Sequence, residues 1–498
     1  MTGKSALARS IADTLTDSGI VVVSYFISRS IPQSRKVERL VQTLAYQLAK
    51  HDAMICERLL ATITSDPGLL QYSVNDQVQR LLVSPLISAH SRADSPLVLN
   101  IDGLDEAEDV QPLLYELIEP LALALVGFPR RVKLIASSRE FSALRMARSR
   151  GGLEGLFDEQ WLHKINETTV RSDIRTYIAD GLGRLAERAD LGPAWPSNAQ
   201  MDALAYRAGS LFIYAATVLQ FLEGQPLPKK LLEELLSSDH RLATVASAGG
   251  SPFAKLDALY DQVLHTCVGA TPLSIESDLI KQLRMVIAGV VYSAEPMSMR
   301  MLSSMLGIGL SDLNLIARSL AAIWVVPQEA DELLIVHHLS FSEFIGDARR
   351  CTEACFCVTP IAAHELLATA CLRKMNHGLR RDICDLMKPG ASLPCVENYS
   401  LGIVESCVEP TLKYACFHGV ETHLWQCLAD KDSEKAPGDA LVEQLVQFCD
   451  GHLLHWVEVR AVFGEDSLNA LIQTLYSWTR FEPVCKHIFG PFITLICK

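Results

Sequence analysis

Basic charge is scarce in this sequence: 45 Lys and Arg stand against 58 Asp and Glu, a net charge of -13 over 498 residues. A general nucleic-acid surface needs clustered cations to displace counterions, so that function class is disfavoured. A nucleotide site needs only a few local donors and stays open. Long apolar runs are also missing. None approaches the roughly 18 residues of a membrane helix, and the stretches 121–128 and 286–292 fit buried helices better. No signal peptide is expected, because Met1 is followed at once by polar and charged residues. The expectation is a soluble, cytoplasmic protein whose 14 cysteines stay reduced. Paired Cys-x-x-Cys spacing is absent as well. Cys351, Cys355 and Cys357, with His364 nearby, come closest to a metal set. Without that pairing, buried structural thiols are the expected reading. No fixed-period repeat stands out.

What is present is a globular composition, 49% hydrophobic and 21% charged. The length exceeds one core and implies three or four domains. Residues 1–165 alternate strands and helices. Strands are expected at 20–28, 96–102, 131–137 and 159–165, with helices at 5–17, 37–50, 75–90 and 112–125. The first strand is apolar on both faces, as a parallel strand covered on each side should be. Alternation of this kind implies a parallel sheet with right-handed crossovers. Beyond residue 166 the pattern is helical, at 170–188, 198–206 and 211–223. A linker is expected at 237–251, which contains Gly249 and Gly250. Residues 275–350 read as helices followed by a strand pair, 322–326 and 332–336, a pattern that suggests a winged helix. Residues 351–498 are mostly helical.

Three motifs carry chemistry. Thr2-Gly3-Lys4-Ser5 before a helix matches the end of a Walker A loop. There, backbone amides hold phosphates, the Lys reaches the β and γ oxygens, and the Ser hydroxyl binds Mg²⁺. The strand 97–102 ends in Asp102-Gly-Leu-Asp105-Glu106, a Walker B arrangement. Asp102 would hold Mg²⁺, and Asp105 or Glu106 would orient the attacking water. Leu134-Ile-Ala-Ser137-Ser138-Arg139 is a strand ending in small polar residues and a cation, where a γ-phosphate sensor would sit. The bland readings are an acidic turn after a strand and a solvated Arg in a basic stretch.

The strings Gly3–Ile11, Ser24-Tyr-Phe26, Leu40–Leu48 and Ile101–Glu106 resemble the NACHT ATPases of fungi, in the signal-transducing, NLR-like (STAND) branch of P-loop NTPases. Ala208–Ala215, Leu256-Asp-Ala-Leu-Tyr260, His338-Leu-Ser-Phe341, His364–Ala368, Asp382-Ile-Cys384 and Tyr414-Ala-Cys416 extend the resemblance over nearly the whole chain. It implies an α/β P-loop NTPase domain at 1–165 and a helical lid at 166–236. A linker and connecting helix at 237–274, a winged-helix-like domain at 275–350 and an all-α domain at 351–498 would follow. The implied cofactors are ATP or ADP with Mg²⁺. Gly3, Lys4, Ser5, Ala6 and Ser138 would bind the nucleotide, Ser5 and Asp102 the metal. Asp105, Glu106 and Arg139 would be catalytic. In resting relatives a winged-helix His reaches the β-phosphate of ADP. His338 is the matching position, with His337 one residue away. The lid motif Gly209-Ser-Leu-Phe212 departs from the family's Gly-x-Pro.

In this branch the strand leading into Walker A lies between the Walker B and sensor strands. The chain starts inside its own loop, so a truncated Walker A and an incomplete sheet are expected. Two inner strand edges would lose their shared neighbour, and each buried unsatisfied group costs about 1–3 kcal/mol. The leading expectation is an ATP-dependent signalling switch. Slow hydrolysis would govern opening, and opening would permit self-association or binding of other signalling proteins. The alternatives are a degenerate NACHT protein acting as a binding scaffold, and an unrelated helical interaction protein.

Overall fold

The computed structural model describes residues 3–28, 31–89, 96–126, 132–139, 142–149, 158–192, 194–223, 225–237, 253–269, 274–275, 277–384, 407–428 and 438–463. They belong to two compact units, Met1–Ala216 and Thr217–Lys498. Among them no helix is long and apolar enough to cross a membrane.

The first unit is built on a parallel sheet in the order β1 (Val21–Phe26), β2 (Leu97–Asp102), β3 (Val132–Ala136). Alternation sorts its faces. Val23, Tyr25, Leu99 and Ile101 join a core with Leu40, Val41, Leu44 and Leu48, all from α2 (Val37–His51). The opposite face carries Ser24, Asn100 and Asp102 and receives α1 (Lys4–Asp17). The buried residues of α1 are Ala8 and Ala12. Their small side chains let the helix backbone approach, and Asn100 Nδ2 donates to the Ala8 carbonyl at 3.2 Å. The open edge of β1 is covered by the Gln47 side-chain amide. It accepts from Ser24 N–H and donates to Ser24 C=O, both at 2.9 Å, so one side chain stands in for a strand neighbour.

The sheet corrects one expectation. β2 and β3 pair directly, from Leu97 opposite Val132 to Ile101 opposite Ala136, so neither inner edge is orphaned. A second correction concerns 159–165, which forms no strand. Leu162–Lys164 is a short 3₁₀ turn, and Lys164 lies over the Trp161 ring at 4.9 Å. Its apolar residues, Trp161, Leu162 and Ile165, lack the alternation a strand needs, and Ile165 is exposed. A helix the sequence reading omitted, α3 (Ala53–Ser65), starts at Asp52, whose side chain accepts from Met54 and Ile55 N–H. The helices Glu167–Arg188 and Asn198–Ala208 follow, the second opened by a Ser197/Gln200 capping box.

In the second unit, helices Asp278–Val291, Met299–Leu306 and Leu310–Ser319 precede an antiparallel pair, β4 (Trp324–Val325) and β5 (Ile335–Val336). A bridge between Ser298 and Leu333 adds a third short strand position. Trp324 is fully buried and donates its indole N–H to the Ala317 carbonyl at 2.8 Å. The helix Pro360–Gly378 lies against Pro410–His418 and the π-helical turn Gly419–Leu424. A Cβ on Gly419 would sit 2.6 Å from Cys371 Cβ, so glycine permits this approach. Of the expected linker at 237–251, only Ser237 lies within the described residues.

Candidate functional site

α1 runs antiparallel to the strands. Its second turn lies beside their carboxyl ends, with Arg9 over the Phe26 ring at 5.5 Å and Ala8 bonded to Asn100. At 1.5 Å per residue, Lys4 stands about 6 Å further along, at the edge where ligands of parallel sheets bind. Gly3 is the N-cap, in a left-handed conformation with φ 67° and ψ 27°. It has no side chain to cap the helix. The first ladder bond is Leu7 N–H to Gly3 C=O at 2.9 Å, so the amides of Lys4, Ser5 and Ala6 have no acceptor within the helix. Those amides and the positive end of the helix dipole favour an anion. Lys4 is half-buried, and Ser5 and Ala6 are exposed.

At the same edge, β2 ends on Asp102, which is 2% exposed. Its Oδ1 accepts from the Ser137 hydroxyl. The Ser137 backbone continues the pairing: its N–H donates to Ile101 C=O at 2.9 Å, and its C=O accepts from Gly103 and Leu104 N–H at 3.0 Å. Gly103 turns the chain with φ 80°. A Cβ there would lie 2.8 Å from the Ile27 carbonyl oxygen. The 3₁₀ turn Leu104–Glu106 then presents Asp105. Asp105 Oδ1 accepts from Arg139 N–H at 2.9 Å, and Oδ2 lies 3.5 Å from Arg139 Nε. Glu106 is half-buried. Ser138 turns its hydroxyl to the Arg139 carbonyl, at 2.7 Å.

Asp102, Asp105, Glu106, Ser138 and Arg139 therefore meet where β2 and β3 end, and Gly3 to Ala6 open the helix beside them. Two residues of this group escaped the sequence reading. Ser137, not Ser138, faces Asp102. Strand parity was the available signal, since Val132 and Leu134 point to the core and Lys133, Ile135 and Ser137 to the α1 side. Asn100 is the other, a polar residue in an apolar strand two positions before Asp102 and on its face. It is 1% exposed, and its Oδ1 is buried without a hydrogen-bond partner.

The Ser5 hydroxyl, the Asp102 carboxylate and the Ser137 hydroxyl are all oxygen donors, which suits a hard cation such as Mg²⁺. Among the described residues no three His, Cys, Asp or Glu form a metal-holding group. A cation here would need phosphate oxygens and water to complete its shell.

His338 lies in the second unit and N-caps the helix Leu339–Gly346, its Nδ1 accepting from Ser340 N–H at 2.9 Å. His337 donates its backbone N–H to Ile323 C=O at 2.8 Å, and its imidazole hydrogen-bonds the Ala321 backbone. Cys351, Cys355 and Cys357 are buried, and burial raises all three thiols above their ordinary range. Their loop is held by Arg284, whose Nη1 donates to the carbonyls of Ala354, Cys355 and Cys357.

Residues 1–139 match the family described as nephrocystin 3, N-terminal. The matched stretch takes in α1 and all three strands and ends on Arg139. No curated protein and no solved structure matches the chain.

Proposed function

We propose that the chain is a nucleotide-responsive switch of the NACHT type that binds ATP or ADP with Mg²⁺. The observation that carries this reading is the shared edge of the first unit. The open first turn of α1, with Lys4 and Ser5, lies at the strand ends that carry Asp102 and the Asp105–Arg139 pair. Phosphates would take the amides of Lys4 to Ala6 and the Lys4 ammonium. Ser5 and Asp102 would hold Mg²⁺, which when bound neutralises the phosphate charge. Arg139 would face the terminal phosphate. Residues 166–236 would serve as the lid.

In the second unit, three helices, the β4–β5 wing and the Ser298–Leu333 bridge support a winged-helix reading. Its helix Leu310–Ser319 exposes Leu310 and Leu315 beside Asp312 and Arg318. That is no cationic face for DNA, so an internal clamp through His338 is proposed, released on exchange of ADP for ATP to permit self-association.

A titration of the full chain with fluorescent ATP and ADP, with and without Mg²⁺, tests this. Lys4→Ala should abolish saturable binding, and Asp102→Asn should abolish the Mg²⁺ dependence. Unchanged affinity in Lys4→Ala would refute the site. One observation favours the scaffold reading instead: Asp102 is already satisfied by Ser137. Absence of saturable binding up to about millimolar nucleotide, a free energy near -4 kcal/mol, would decide for it.

A further inference from the structure

Two strings that stand out in the sequence, Leu256–Tyr260 and His338–Phe341, have no evident link there. The structure joins them. The Tyr260 hydroxyl lies 2.7 Å from the Ser340 hydroxyl, across 80 residues of sequence. Ser340 Oγ lies 2.9 Å from His338 Nδ1, and Ser340 N–H donates to that same nitrogen. Thr217 also hydrogen-bonds the phenol. Tyr260, Ser340 and Thr217 are all at most 2% exposed. The Tyr260 ring packs against Phe341 and Phe344 at 5.3 and 5.4 Å. One turn earlier on the same helix, Asp257 takes both Nε and Nη2 of Arg350, at 3.1 and 2.6 Å. The helix Ala254–Val268 is thus stapled to the segment 338–350 at two points.

Elementary donor rules give this chain a direction. A backbone amide only donates, so His338 Nδ1 is unprotonated and Nε2 carries the ring proton. The Ser340 hydroxyl beside that lone pair donates toward it, which leaves Ser340 Oγ to accept from Tyr260. The Tyr260 oxygen in turn accepts from Thr217. Burial pushes the phenol up to about 12, so it stays a neutral donor. Every donor then points toward the imidazole.

We infer that Tyr260 is a positioning residue for His338: through Ser340 it holds the ring at a fixed angle as an Nε2–H donor, and it couples that ring to the helix Ala254–Val268. The consequence for nucleotide rests on the clamp reading above, whereas the relay itself does not.

The test uses the full chain, ¹⁵N-labelled at histidine, and ADP as the probe. His338→Asn assigns the His338 signals and keeps a side chain able to cap the helix. Without nucleotide, Tyr260→Phe should shift or broaden the ring nitrogens of His338 and leave the remaining histidines unchanged. In ADP titrations, Tyr260→Phe should weaken affinity by about three- to tenfold, the loss of one hydrogen bond. The double variant Tyr260→Phe/His338→Asn should bind no more weakly than His338→Asn. Unmoved His338 nitrogens would overturn the relay. A Tyr260→Phe effect that persists in full beside His338→Asn would overturn the positioning role and mark a general packing defect. Shifted nitrogens with unchanged ADP affinity in His338→Asn would keep the relay and overturn the clamp. If Tyr260→Phe does not fold, Ser340→Ala removes the central hydroxyl, retains the backbone amide and is judged by the same outcomes.

Discussion

Arg139 donates its backbone N–H to Asp105 Oδ1 at 2.9 Å, while its guanidinium lies 3.5 Å from the other carboxylate oxygen. The acid follows β2 and the arginine follows β3, so this pair ties two strand ends together. The Asp105 side chain is 9% exposed and that of Arg139 37% exposed. The partly solvated ion pair is worth little beside the hydrogen bond to the buried acid.

Asp105→Ala should therefore cost about 1–3 kcal/mol, the loss of a hydrogen bond to a charged acceptor. Arg139→Ala, which keeps the backbone N–H, should cost well under half of that. Urea midpoints of the two variants compare them directly. Equal losses would place the energy in the guanidinium instead.

Gly103 and Gly3 share a left-handed backbone, with φ 80° and 67°, but only one is crowded. A Cβ on Gly103 would meet the Ile27 carbonyl oxygen at 2.8 Å, while one on Gly3 would meet nothing within 4 Å. Gly3→Ala should show the conformational cost alone, about 1–2 kcal/mol. Gly103→Ala should lose clearly more, because Ile27 N–H is also bonded to Asp102 C=O at 2.9 Å and cannot easily retreat. Denaturant unfolding of the two variants side by side gives the difference. Equal losses would mean that the β1–β2 ends yield freely.

The strands were legible because buried parallel strands are apolar on both faces, and the runs at 20–28, 96–102 and 131–137 contain β1, β2 and β3. The direct β2–β3 pairing was not legible, since register depends on which neighbour is present and not on the strand's own pattern. α3 was missed because its apolar residues are diluted by exposed Met54 and Leu60, although Asp52 offered a capping signal. At the site, the acids and the cation are legible in the motifs, but the motifs do not separate Ser137 from Ser138. Motif spacing identifies a segment, and only strand parity identifies the facing side chain. The Tyr260–Ser340 contact spans 80 residues, and no local pattern announces it.

Thiol chemistry should follow burial. Cys351, Cys371 and Cys416 are at most 1% exposed, and burial pushes each thiol up, Cys416 to about 12. Since the thiolate is the nucleophile, these should resist iodoacetamide near pH 8 in the folded chain. Four described cysteines are partly exposed; burial raises the thiols of Cys267 and Cys427, so Cys56 and Cys407 should label first. Peptide mass spectrometry at short reaction times orders the sites. Early labelling of Cys371 would show that the helix Pro360–Gly378 opens readily.

Asp261 supplies a pH dependence near neutrality. Its Oδ1 is buried without a hydrogen-bond partner. Burial first, then the carboxylates of Glu353 and Asp257, push it from 3.8 to about 7. Across that window the folded chain holds a proton that the unfolded chain has released. The stabilisation is therefore fully present below about pH 4, declines as pH rises and is gone above about pH 7. Asp261→Asn keeps the shape without the charge, and its amide can donate to the neighbouring carboxylates. The variant should melt a few degrees above the parent at about pH 8, by clearly less at about pH 5, and level with it only below about pH 4. Histidines titrate in the same range, but they are common to both proteins and cancel in the difference. A constant offset between the two melting curves at every pH would show that Asp261 is ionised and solvated in the folded chain throughout.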